Sequence, residues 1–231
     1  MIYFISFGSD RRYEELSCQI IRDLSSVYRQ SFSRIFTADD LPASFIDYAS
    51  RYRRGFGYWI WKPWIVRRTL GILRPNDVVL YCDGRCGMAN KGGTIRWFDE
   101  FLQRTEFDVA AWQMRFVEKH WTTADLLSRV SSQYTAAARE TGQFAATFHA
   151  WRVNGRSMRL ASLWLEFMAR NPALCRDEPS RLPNDAEFKE NRHDQSVVSL
   201  TLKSLRASNE LSVLTFNNSH IYSDNLLPHQ K

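Results

Sequence analysis

The chain has 231 residues, 44% of them hydrophobic, 14% aromatic and 24% charged, a balance that excludes disorder, collagen and coiled coil. There are 31 basic and 25 acidic residues, a net charge of +6, and all but six of the basic residues are arginine. The arginines are scattered, with no run of like charge and no basic tail, which disfavours nucleic acid and leaves an anionic membrane surface or a phosphorylated small molecule as partner. A compositional preference for arginine would give the same count.

The length suits one α/β domain over 1–231. The opening MIYFISFGSD is apolar over eight positions with no basic stretch before it, so it reads as a strand rather than an export signal. No stretch approaches the roughly 20 apolar residues that span a bilayer. Cys18, Cys82, Cys86 and Cys175 have neither zinc spacing nor a CxxC pair, which predicts reduced thiols in a cytosolic protein.

In chain order, Ile2 to Phe7 predicts a strand and Tyr13 to Val27 a helix, with Leu16, Ile20, Ile21 and Leu24 on one face. Ser33 to Thr37 predicts a short strand, and a helix follows through Phe45, Tyr48 and Tyr52. Gly55 to Trp64 is an aromatic-dense segment, after which Ile65 to Leu73 is amphipathic and Pro75-Asn76-Asp77 forms a turn. Val78 to Cys82, wholly apolar, predicts a buried strand ending in Asp83-Gly84. Helix is expected over Thr94 to Arg104 and strand over Phe107 to Trp112. Trp121 to Val130 predicts a helix capped by Thr122 or Thr123, and Ala145 to Val153 a strand. Helices over Ser157 to Arg170 and His193 to Leu205 flank a proline-containing loop, Asn171 to Asn184, and Leu211 to Phe216 closes the series. Such alternation predicts a mostly parallel sheet covered by helices on both faces, with ligands bound beyond the carboxyl ends of its strands.

Three segments there could carry chemistry. Asp83, at the end of the most buried strand, is placed to hold a cation bound to diphosphate, with Gly84 and Gly87 allowing close backbone approach; a strand-ending aspartate also caps turns. Lys62 precedes Pro63 near a helix start, where an ammonium and backbone amides can hold phosphate, although aromatics as dense as Trp59, Trp61 and Trp64 also fill cores. Arg192-His193-Asp194-Gln195-Ser196 opens a helix, where Asp194 and Ser196 can cap and His193 can exchange a proton. The P-loop, dinucleotide-binding, nucleophile-elbow and HExxH motifs are missing from the sequence.

Together Gly57-Tyr58-Trp59-Ile60-Trp61-Lys62-Pro63-Trp64, the stretch from Asp77 to Gly84, Glu118 with Trp121, Thr122 and Asp125, and His193-Asp194-Gln195-Ser196 resemble small bacterial glycosyltransferases of surface polysaccharide and lipopolysaccharide assembly. The resemblance implies a GT-A-like fold, with a nucleotide-binding part near 1–115 and an acceptor and sugar part near 116–231. It implies a nucleotide-sugar donor, UDP-linked by expectation, a glycan or lipid-linked acceptor, and a cytosolic protein that docks peripherally on the inner membrane face. Phe7, Gly8, Ser9 and Tyr13 would form the base and ribose pocket, with Lys62, Asp83 and Arg85 at the diphosphate. Trp59, His193, Asp194 and Gln195 would hold the sugar, Asp194 and Asp83 being catalytic. Asp83 stands at the first position of a D-x-D signature whose second acid is here Arg85. Either that guanidinium stabilises the leaving diphosphate directly, or Asp83 with another ligand such as His220 holds Mn2+ or Mg2+. A sugar-nucleotide or glycan-binding protein without catalysis is the alternative.

Overall fold

The computed structural model describes residues 1–87, 98–130, 136–216 and 222–223. A six-stranded sheet runs in the order β2 (Ser31–Thr37), β1 (Ile2–Gly8), β3 (Val78–Cys82), β6 (Gly142–Arg152), β5 (Val109–Val117), β7 (Val213–Phe216). β1 pairs in parallel with β2 and β3, and β5 with β7; β6 alone is antiparallel to both its neighbours. A second, two-stranded piece joins β4 (Cys86–Gly87) to β8 (Tyr222–Ser223). Strands from both sides of residue 115 share the main sheet.

Alternate strand residues feed two cores. Phe4, Leu80 and Phe148 pack on Ile20 and Leu24 of α1 (Arg11–Val27) and on Phe98 and Phe101 of the helical stretch 98–103, α5. Ile5, Val79, Tyr81 and Phe144 face the other way, onto α4 (Trp61–Ile72), α9 (Gly155–Arg170) and α10 (Asp194–Ala207). This period-two division is what the apolar run Val78 to Cys82 requires, since a strand buried on both faces needs no polar alternation. No helix among the described residues is long and apolar enough to cross a membrane.

Several expected elements differ in extent. The helix expected over Thr94 to Arg104 is seen at 98–103, with 88–97 outside the described residues. The helix expected from Trp121 to Val130 is two pieces, α6 (Glu118–Trp121) and α7 (Ala124–Val130). They part because the Thr122 side chain turns inward onto Glu118, while Thr123 accepts the Leu126 amide at 3.4 Å as the cap of α7.

The strand expected from Ala145 begins earlier, at Gly142. A Cβ there would lie 1.7 Å from the Met114 carbonyl oxygen across an irregular pairing with β5. Gly142→Ala must therefore displace backbone rather than a rotamer, and a loss of about 2 kcal/mol or more is expected in chemical denaturation; an unchanged midpoint would count against this close approach.

Candidate active site

At one edge of the sheet the carboxyl ends of β1 and β3, the Ala146-Thr147 stretch of β6 and the start of α10 enclose a cleft of about 430 Å³. The antiparallel run of β6 makes this possible, because it brings Thr147 back beside Asp83, whose amide donates to the Thr147 carbonyl at 2.8 Å. Phe7, Ser9, Tyr13, Trp59, Lys62, Asp83, Arg85, His193, Asp194 and Gln195 all line this one cleft. Gly8 does not: its Cβ position faces Glu14, so it serves the tight packing of α1 on the strand end. Gly84 lines the cleft and its Cβ position meets α1, at Ser17 and Tyr13. His220 lies outside the described residues.

Lys62 is the centre of the site. Its side chain is 2% exposed, and Nζ stands 2.9 Å from Asp194 Oδ2 and 3.3 Å from Asp83 Oδ1, while it donates to the Ala146 carbonyl at 3.1 Å. The ammonium that this helix position is expected to offer to phosphate is paired here with two carboxylates. Burial alone would depress its pKa, but Asp194 and Asp83 outweigh that and hold it above the usual lysine value. Burial is also what raises Asp194, to about 6, against the pull of Lys62. Asp83 accepts a short hydrogen bond from the Tyr81 hydroxyl, and Tyr81 stacks on His149 at 4.9 Å. His149 accepts from Trp151 Nε1 at 2.5 Å, and its burial depresses its pKa to about 3, so a neutral layer lies under the charges.

One wall of the cleft is built on reversed backbone. Gly55, Phe56, Gly57, Tyr58 and Trp59 all have positive φ, between 52° and 84°, in a single turn named α3 (Gly55–Tyr58) by its hydrogen bonds. The left-handed conformation costs a non-glycine residue about 1–2 kcal/mol, and three aromatics adopt it here. Gly55 is obligatory, because the Trp59 indole lies 2.4 Å from where its Cβ would be. The strain is offset by side-chain anchoring. Arg54 and Tyr58 donate to Asp177 at 2.8 and 2.7 Å, and Trp59 stacks on His193 at 5.4 Å. His193, itself at φ 53°, bonds the Cys175 carbonyl through Nδ1 at 3.0 Å, and burial lowers its pKa to about 4, which makes it a neutral wall rather than a charged acid.

The Glu118 motif underlies the cleft instead of lining it. Glu118, fully buried, accepts from Thr122, Gln143, Ser199 and Lys203. Gln143 then accepts from Gln195 at 2.7 Å, which fixes that amide at the cleft floor. Asp125 accepts the amides of Arg181 and Leu182, ordering the loop that carries Asp177. Sequence reasoning missed Arg53, Arg54 and Phe116 as lining residues, and named Arg192 only as part of the segment that opens α10. The arginines could have been found as neighbours of the Gly55 turn and of His193; Phe116 carries no such signal.

Asp83 and Asp194 share the buried Lys62 ammonium, which would repel a divalent cation held by the same pair. Asp10, the third cleft carboxylate, caps α1 by accepting the Tyr13 amide at 3.1 Å. Among the described residues the one group able to converge three ligands is His120, Asp185 and Glu187, whose ligand atoms lie within 4.8 Å of one another and none of which lines the cleft.

No protein-family model and no curated protein matches the chain. Among solved structures it is similar to a glycosyltransferase involved in glycosylation of the major capsid of PBCV-1, at 9% identity and TM-score 0.45, covering 94% of this chain and 82% of that one. It is similar also to mouse xyloside xylosyltransferase 1 in its apo form, at 11% identity and TM-score 0.46, covering 94% and 72%.

Proposed function

We propose that the chain is a glycosyltransferase that moves a sugar from a nucleoside-diphosphate donor to a hydroxyl of a glycan or lipid-linked acceptor in surface polysaccharide assembly. The observation that carries this reading is the convergence, in one cleft at the carboxyl ends of parallel strands, of aromatic walls, a carboxylate pair and several arginines. The four-motif resemblance supplies the chemical class. In the reaction the bond from the anomeric carbon to the diphosphate oxygen breaks, a bond to the acceptor oxygen forms, the nucleoside diphosphate leaves with the electron pair, and the acceptor hydroxyl's proton passes to the departing diphosphate or to solvent.

In this reading Phe7, Ser9 and Tyr13 border the nucleoside, Arg85 the diphosphate, and Asp194 the sugar. Asp83, tied to Tyr81 and Lys62, positions Asp194 through the shared ammonium. Trp59 and His193 form an apolar face on which a sugar ring can rest. The net positive surface would dock on an anionic membrane carrying the acceptor.

The test is release of free nucleoside diphosphate from a panel of nucleotide sugars, by wild type, Asp83→Ala and Asp194→Asn. Turnover is expected to fall at least about a hundredfold in each variant. Full activity in Asp83→Ala would remove the site assignment. Donor binding without turnover by the wild type would favour the non-catalytic reading.

A further inference from the structure

The outward face of α4 is used neither by the cleft nor by the core. The helix turns Trp61, Ile65, Val66 and Leu70 inward and leaves Trp64, Arg67, Arg68, Gly71 and Ile72 on its other side, with no acid anywhere along it. Ile72 is 71% exposed, more than any other large apolar side chain among the described residues. Arg67 donates through Nε to the Ser162 hydroxyl at 3.0 Å, a neutral partner. Arg68 lies with its guanidinium carbon 5.0 Å from the centroid of the Trp64 ring and reaches the Asp40 carbonyl at 3.5 Å, while the Asp40 carboxylate is held by Arg34 at 2.5 Å. Arg74, two residues past the helix, is exposed. Among the described residues no ion pair forms to Arg67, Arg68 or Arg74. Phe45 of α2 (Ala43–Arg51) packs edge-on against Trp64 at 6.1 Å and steadies the indole.

We propose that this face docks on an anionic lipid bilayer, with Ile72 entering the boundary between headgroups and acyl chains, Trp64 at headgroup level, and Arg67, Arg68 and Arg74 against lipid phosphates. Cations without acid partners around a bare aliphatic side chain and an amphipathic indole match such a surface in charge and in polarity. Nucleic acid would leave Ile72 without an apolar environment, and a two-fold contact between copies would bring the arginine face of one chain onto that of the other. Trp64 lies within a turn of Trp61 and Lys62, which line the cleft, so the docked face begins beside the cleft wall and a lipid-linked acceptor held in the same bilayer is presented there. The inference rests on the transferase reading for that acceptor alone; attachment to the bilayer is tested without it.

Sedimentation of the full chain with vesicles of phosphatidylcholine, alone or equimolar with phosphatidylglycerol, provides the test. Partitioning is expected on the mixed vesicles, and to be at least about tenfold weaker on phosphatidylcholine alone or in about 0.5 M salt. Arg67→Gln with Arg68→Gln should lower the partition coefficient about twentyfold, and Ile72→Ser about tenfold. Both variants should keep the wild-type melting temperature and the wild-type rate of nucleoside diphosphate release with a water-soluble acceptor. Equal partitioning on neutral and anionic vesicles overturns the inference, as does equal partitioning of wild type and both variants. A chain that ignores vesicles but forms a dimer split by Ile72→Ser overturns it too, and makes the face a contact between copies. Transfer to a water-soluble acceptor with no vesicle binding would sink the docking face and leave the transferase reading standing; variant-sensitive vesicle binding with no donor turned over would do the reverse.

Discussion

Lys62→Met is expected to lower the unfolding free energy by about 3–5 kcal/mol at neutral pH, the cost of leaving buried charge without its partner. For a chain of this size that is a fall in melting temperature of roughly 6–20 °C. Methionine matches the length of the stem, so the volume is nearly kept and the change isolates the charge. Without the ammonium, Asp194 and Asp83 face each other in a buried site, and Asp194, already raised to about 6 by burial, must rise further. A carboxyl whose folded pKa exceeds its unfolded value destabilises above the unfolded value and ceases to do so once both states are protonated. The deficit should therefore be largest near pH 8 and shrink as the pH falls towards about 4. Denaturation midpoints of wild type and variant across that range check it; a deficit independent of pH would mean that Lys62 acts by packing alone.

Glu118→Ala is the companion case beneath the cleft, with an expected loss of about 3–5 kcal/mol. Here the stranded group is a cation. Lys203 Nζ sits 2.8 Å from Glu118, with side-chain exposures of 9% and 0%. Burial already depresses the lysine's pKa against the pull of Glu118. A lowered lysine pKa penalises folding while the unfolded chain is protonated, so this deficit should shrink as the pH rises towards about 10, opposite in sign to that of Lys62→Met. The double variant Glu118→Leu with Lys203→Met should recover much of the stability, because an apolar pair strands neither charge. Loss of the Gln143 to Gln195 bond should also raise KM for the donor in Glu118→Ala, measurable under conditions where the variant is folded.

Much of the frame was readable because it is local. The apolar run Val78 to Cys82 announces a strand buried on both faces, and Asp83 follows from it by position alone. The α1 stripe of Ile20, Ile21 and Leu24 announces its helix in the same way. What escaped is tertiary. Gln143 hides the start of β6 because a buried polar residue looks like a surface one until Glu118 and Gln195 are brought to it. The ion pairs of Lys62 are not legible locally, because only the fold brings Asp83 and Asp194, 21 and 132 residues later, to its ammonium. The reversed turn at Gly55 to Trp59 is legible in its glycines but not in Phe56, Tyr58 and Trp59, which no local preference would put there.

That turn also has a place in time. Its hand is unfavourable until Tyr58 and Arg54 reach Asp177, which the ribosome delivers 119 residues after Tyr58. A nascent chain holds β1, β2 and β3 before Asp177 is synthesised, so the contacts that offset the reversed turn form between parts of the chain made far apart in time.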